Sequence, residues 1–449
     1  MKRVPRKVHT RPVAHRRHAG LQSILLIQGL VIAAFAVSWC LLPDLSRRRI
    51  LAELQQRPLE PDVTPEHNLP TRIDPLYDDP TVVSDAELAA VLKKLLPRFS
   101  AQKLRPNYVE HALRTWGAQI EFSTPELISG PHMVEFLTDS SAYLRSWGDG
   151  SSPILQPDPQ GIAIRWGSDR SASVHHDHLL ASLTEAGVAL DTPVFTPRGR
   201  RQFRDVLRHA LADFRLDERE TEWSVMAFGF WLAPQGTASW HNADGRAVSM
   251  DLLAERLMRS HRKQGVCLGT HRAFSLVALL RLDESSRQRL ITEETRKQTL
   301  AWLAGVRDLI CLAQSPDGSW PPDWTDGAAA ASRVNPLEKP HRRVISTGHH
   351  LEWLAIAPQD LHPPREQIRR AAAWAIRNTV DTPQSEIDAN YTFYSHVANG
   401  LDLWRKTTPA RFWTDWRNSH PEAEVLEVLP DHDQPILEHA EREISASDR

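Results

Sequence analysis

Residues 203–233 read FRDVLRHALADFRLDERETEWSVMAFGFWLA. Two kinds of helix stand side by side in that stretch. Phe203, Val206, Leu207, Ala210, Leu211 and Phe214 fall at i, i+3, i+4, i+7, i+8 and i+11, one apolar stripe with arginine and aspartate opposite. Trp223–Ala233 is apolar nearly all round, as a helix enclosed on every side of a soluble fold would be. The alternation recurs along the chain: 176–190 then 199–214, 223–233 then 248–262, 268–282 then 293–313, 348–357 then 365–378. Leu303, Val306, Ile310 and Ala313 repeat the stripe, whereas Ala273–Leu282 and Leu351–Ala357 repeat the enclosed type. Strand-like alternation is scarce, and Gly161–Trp166 is its best case, expected as a short hairpin or edge piece. Helix hairpins in series predict an all-α domain over 85–429, wound as a solenoid or closed into a ring.

The flanks have different chemistry. Lys2, Arg3, Arg6, Lys7, Arg11, Arg16 and Arg17 make residues 1–20 a basic tail without an acid. Residues 21–42 follow with no charge, and as a helix they span about 33 Å, enough for a hydrocarbon core of about 30 Å. Trp39 suits the far interface and Pro43 is expected to stop the helix. A cleaved signal peptide would use Ala34-Phe35-Ala36, but apolar sequence continues past it to Leu42. Trp39 is too bulky to precede a lipoprotein cysteine at Cys40. The reading is a single-pass anchor in the cytoplasmic membrane. Its N-terminus is inside and the main domain outside, because Arg47, Arg48, Arg49 and Arg57 are outnumbered by the bases before the segment. Residues 43–84 read as a Pro-rich stalk, and the acidic stretch 430–449 as a disordered tail. Over the 449 residues, 54 Lys and Arg oppose 56 Asp and Glu, which removes the electrostatic case for nucleic acid. Three cysteines exclude a disulfide framework.

After the stripe ending at Ala313 comes Gln314-Ser-Pro-Asp-Gly-Ser-Trp320. This resembles the Gln–Trp motif of terpenoid cyclases and is similar to turns in protein prenyltransferase β subunits. The resemblance implies an α/α toroid, in which the glutamine braces neighbouring helix ends and the tryptophan packs between helix pairs. Two departures bear on activity. No Asp-x-Asp-Asp acid motif occurs, and Gly265 stands where the Asp-x-Cys pair of the prenyltransferase zinc site would need an aspartate before Cys267.

Histidines gather at the starts of the enclosed segments: His175, His176 and His178, then His271, then His349 and His350, then His396. In a ring those starts would meet at one end of a central pocket. Cys267 and His271 are four apart, adequate on one helix face for two ligands of a zinc ion, with His349 or His350 as a third. Without a metal, His271, His349, His350 and His396 are candidate general acid/base groups, with Glu352 as the carboxylate partner three residues beyond His349. The competing reading has these side chains bonding to helix ends in a crowded core. Trp223, Trp231, Trp353 and His176 are candidate pocket-lining residues, with Trp374 and Trp404 as further aromatics. Gly148-Asp-Gly150 is a loop and not a phosphate cradle, His341-Arg-Arg343 a solvated loop, and no Gly-x-Ser-x-Gly elbow exists.

Three functions are therefore carried forward. The absent catalytic motifs favour a ligand-binding or scaffold module with a central His/Trp pocket. The alternatives are an acid/base enzyme on polysaccharide or other cell-envelope material, and an isoprenoid-processing enzyme of the cyclase or prenyltransferase type. The ligand would be a small molecule, a glycan or an isoprenoid.

Overall fold

The computed structural model describes residues 16–57, 59–218, 220–259, 266–333 and 338–426. The acidic tail 430–449 and residues 1–15 of the basic tail lie outside the described residues, as does the end of the stripe segment 248–262. The chain divides into two compact units, one to Leu59 and one from Glu60.

The first unit contains α1 (Arg16–Leu41) and α2 (Asp44–Leu54). Within α1, Ser23–Leu41 is long and apolar enough to cross a membrane, a property it shares with signal sequences. α1 ends at Leu41, two residues before Pro43, as expected, and a separate helix begins directly after the proline. It sits at φ −52° and ψ 147° as the residue before α2. Proline is tolerated at a helix start, where its missing N–H has no partner to lose.

The second unit is mostly helical. Its helices are α3 (Asp85–Lys94), α4 (Pro106–Trp116), α5 (Gly130–Thr138), α6 (Ser140–Trp147), α7 (His178–Glu185), α8 (Phe203–Asp213), α9 (Glu222–Leu232), α10 (Met250–Arg259) and α11 (Thr270–Ser285). They continue with α12 (Glu293–Ala313), α13 (Ala328–Ala331), α14 (Pro340–Ile356), α15 (Arg365–Asp381), α16 (Gln384–Ala389), α17 (Tyr391–Trp404) and α18 (Pro409–Ser419). Three two-stranded antiparallel hairpins interrupt them: β1 (Leu155–Asp158) with β2 (Gly161–Ile164), β3 (Pro193–Thr196) with β4 (Gly199–Gln202), and β5 (Ser239–His241) with β6 (Ala247–Ser249).

Six helices pack in a cycle: α4 on α7, α7 on α9, α9 on α11, α11 on α14, α14 on α17, and α17 back on α4. They are the most extensively buried helices of the unit. Every residue of α9 is buried, as is α17 apart from Leu403. The striped helices pack against them from one face. α8 buries its apolar stripe, with Phe214 buried just after the helix, and α12 buries Leu303, Val306, Ile310 and Ala313 against α11 and α10. Side chains fix several starts. Ser84 and Glu87 form a reciprocal cap at α3, and Thr292 accepts from the Thr295 N–H at α12.

The Gln314–Trp320 turn ties three of these helices. The Gln314 amide donates to Gly318 O (2.9 Å) and to Gln367 O in the first turn of α15 (2.7 Å), and its Oε1 accepts from Arg370 (2.6 Å). The Trp320 indole N–H donates to Ile310 O in α12, and its backbone N–H donates to Thr347 Oγ1 in α14 (both 3.0 Å). Gly318 has φ +102°, and a Cβ there would lie 2.6 Å from Arg370 O, so the turn needs glycine twice over.

The Pro-rich segment is not a free stalk over its whole length, which corrects the 43–84 assignment. Asn68 bonds Asp191 and Leu190 just after α7, Thr71 N–H donates to Phe230 O in α9, and Arg281 of α11 donates to Asp74 O. Tyr77 donates to Ala357 O at the end of α14 (2.8 Å), and Asp79 N–H donates to Trp404 O at the end of α17 (2.8 Å). Residues 60–80 thus cross the C-terminal ends of five cycle helices in turn. Prolines prevent regular structure without preventing docking, and helix ends leave carbonyls that need donors.

Candidate metal centre

α11 and α14 contribute His271 and His349, and α17 contributes His396. Their rings meet inside the cycle. Centroids are 4.1 Å apart for His271 and His349, 3.6 Å for His349 and His396, and 5.5 Å for His271 and His396. Glycine permits this closeness. α14 crosses α17 at Gly348 and Gly400, where added Cβ atoms would come within 3.0 Å of His396 C and of Leu351 Cβ. Cys267 completes a group of four whose ligand atoms all lie within 4.8 Å of one another.

Cys267 does not reach this group by sharing a helix face with His271, as the spacing suggested. α11 begins only at Thr270. Cys267 (φ 50°), Leu268 (φ 64°) and Gly269 (φ 77°) form three successive left-handed residues before it, at a cost of about 1–3 kcal/mol for each of the two that are not glycine. Thr270 Oγ1 holds the turn by donating to Cys267 O (2.7 Å).

One carboxylate serves two of the imidazoles. The His349 Nδ1–H donates to Glu352 Oε2 (2.7 Å), and His396 Nδ1 lies 3.2 Å from the same oxygen. Arg114 of α4 donates to Glu352 Oε1 (3.0 Å) and is held in turn by Glu185 of α7 (2.8 Å). With its Nδ1–H given to Glu352, His349 turns Nε2 inward as a lone pair, and that atom has no hydrogen-bond partner. Neither nitrogen of His271 has one either, although the residue is fully buried. Each such orphan costs about 1–3 kcal/mol unless something binds it.

The electrostatics favour neutral rings around an ionised acid. Burial alone would raise Glu352, but Arg114, with His396 and His349, holds it well below the usual carboxylate range. Burial, reinforced by His349 and His396, pushes His271 well below the ordinary imidazole value, and burial takes His396 down to about 3. A neutral imidazole is the form that ligates. The set therefore fits a transition metal: one sulfur, three nitrogens, low solvent access and a carboxylate in the second layer. Tetrahedral zinc ligands stand about 3.3–3.8 Å apart, so closing on an ion asks for about 1 Å of contraction at the widest pair.

The other expected residues divide. Trp223 belongs to the cluster, its ring packed at a tilt against those of His271 (4.2 Å) and His178 (4.4 Å). His350 points elsewhere: its Nδ1 accepts from the Trp353 indole (2.9 Å), and its ring packs on Trp320 and Trp324. Trp353 is thereby core packing, as is Trp231, whose indole donates to Thr184 (3.0 Å). His176 lies apart, against Glu218 and the Trp166 ring. His349 and His396 do not open their helices: α14 starts at Pro340, taking in the His341-Arg-Arg343 stretch read as a loop, and α17 starts at Tyr391.

The sequence reading missed α4 altogether. It supplies Arg114, His111 (5.0 Å from the His396 ring) and Glu110, whose carboxylate pairs with His178 and accepts from Ser173 (3.2 Å). The available signal was Pro106 at a helix start, followed by the stripe Val109, Ala112, Leu113 and Trp116. No protein-family model matches the chain, and neither does any curated protein or solved structure.

Proposed function

We propose that the second unit is an α/α toroid that binds one transition-metal ion, zinc by its donor set, at its centre through Cys267, His271, His349 and His396. The closed order of helix contacts supports the toroid, and so does the bracing of α12, α14 and α15 by Gln314 and Trp320. One observation carries the metal. His271 is fully buried with both nitrogens unbonded, beside an inward-facing His349 nitrogen and a cysteine, an arrangement costly without an ion and ordinary with one. Four protein ligands make a closed site, which fits the ligand-binding or scaffold function ahead of the two enzymatic alternatives.

Purified protein should carry about one zinc per chain by elemental analysis. His271→Ala and His349→Ala should each abolish stoichiometric binding. Folded protein without metal, unable to take up zinc or cobalt, would refute the proposal.

A second reading, hydrolysis of cell-envelope material, is favoured by the Glu110–His178 pair. His178 is fully buried with Nε2 unbonded, one ring from the cluster across Trp223, where an oriented imidazole could take a proton. An anchor at residues 21–42 with its N-terminus inside would place this unit outside the cytoplasm.

A further inference from the structure

We infer that Cys267 is the displaceable donor of the centre and that a small oxyanion takes its place, an inference that rests on the metal centre proposed above. The four donors are not equivalent. His271, His349 and His396 stand on helices and are fully buried, whereas Cys267 is half-buried and stands on the left-handed turn before α11. A helix donor moves only with its helix. A turn donor moves by backbone rotation, and this turn relaxes when it does.

A cavity adjoins this turn. Leu268, the next residue, lines a cavity of about 320 Å³ with Asp323, Arg333, Glu338, Arg342 and Arg343. That volume admits a small molecule. Arg343 is held by Glu338 (2.7 Å) and Arg333 by Asp326 (3.1 Å), while the exposed Arg342 side chain has no hydrogen bond or ion pair among the described residues. Arg333 is also paired with Asp323 and Arg343 with Asp317, so Arg342 is the one guanidinium of this lining left without a carboxylate among the described residues.

Charge selects the class of ligand. Exchanging a thiolate for a neutral donor would leave one more positive charge in a buried site, and an oxyanion avoids this. In the exchange the metal–sulfur bond breaks and a metal–oxygen bond forms. The incoming acid gives its proton to the departing thiolate, so the centre keeps its charge. Three imidazoles then hold the metal and the anion fills the fourth position.

The test uses the whole chain loaded with cobalt(II), with acetate and inorganic phosphate as separate titrants. Absorption from thiolate-to-cobalt charge transfer reports the sulfur bond, and elemental analysis after gel filtration reports bound metal. Either anion should remove the band saturably while cobalt stays bound, and the effective anion identifies a carboxylate or a phosphate source. Cys267→Ser should bind cobalt without the band, and Arg342→Gln should raise the anion concentration needed by about 3- to 10-fold, the effect of one partly screened charge. A band indifferent to both anions, or one lost only together with the cobalt, overturns the inference. Wild-type protein that takes up no cobalt before any anion is added fails the metal centre itself.

Discussion

At the scale of residues, this molecule holds its histidines in two opposite ways. His271, His349 and His396 are buried beside one another and kept neutral, whereas His176 is kept charged. Burial alone would lower His176, but Asp177 and the Glu218 carboxylate 3.0 Å away outweigh it and raise its pKa to about 9. A folded value above the unfolded one near 6.5 stabilises the fold fully below about pH 6.5, and the gain is lost as pH rises through about 9. His176→Gln should therefore destabilise most at pH 6 and have little effect above pH 9, read from urea melts of both proteins across that range. An equal loss at every pH would show that His176 acts by packing alone. The same contrast explains which site residues were legible. Cys267, His271, His349, Glu352 and His396 lie in or beside long apolar runs, where a polar side chain stands out. Glu110 and Arg114 are four apart on one helix, a spacing that normally marks a solvated ion pair. Only their partners at positions 178, 185 and 352 reveal them as interior groups.

At the scale of elements, the crossing of α14 and α17 decides whether there is a site. Gly348 lets the backbones approach, and its absent side chain leaves the room in which His349 and His396 come together. In Gly348→Ala, alanine gains about 1 kcal/mol of helix propensity, against a cost of about 1–3 kcal/mol for overpacking against helix backbone that cannot yield locally. The two nearly cancel in stability, but the helices must move apart. The variant should remain folded and bind zinc at least about 10-fold more weakly, measured by competition with a chromogenic chelator. Unchanged affinity would mean that the crossing does not set the ligand spacing. The segment 60–80 teaches a related lesson. Its prolines correctly announced an irregular chain, but irregular chain supplied donors and acceptors to the ends of α7, α9, α11, α14 and α17. Composition reports the lack of a period and is silent about what an extended strand lies on.

For the whole molecule, the two units have separate roles. α1 carries a span long enough for a bilayer, and the second unit carries the cysteine–histidine group. If the bases before α1 hold the N-terminus inside, a reporter active only outside the cytoplasm, fused to the C-terminus, should give signal. Silence there, with activity from a cytoplasmic reporter, would reverse the orientation. Local patterns were enough to establish the apolar span, the helical class and the two helix types. Each depends on how one segment divides between oil and water, and that division is written in the segment's own periodicity. Whether dispersed imidazoles share one interior depended on contacts that cross hundreds of positions, such as Arg114 with Glu352, and no periodicity encodes them. The way Cys267 reaches the group, and the glycine crossing of α14 and α17, followed from backbone geometry alone, because a left-handed turn and a missing Cβ leave no mark on hydrophobic pattern.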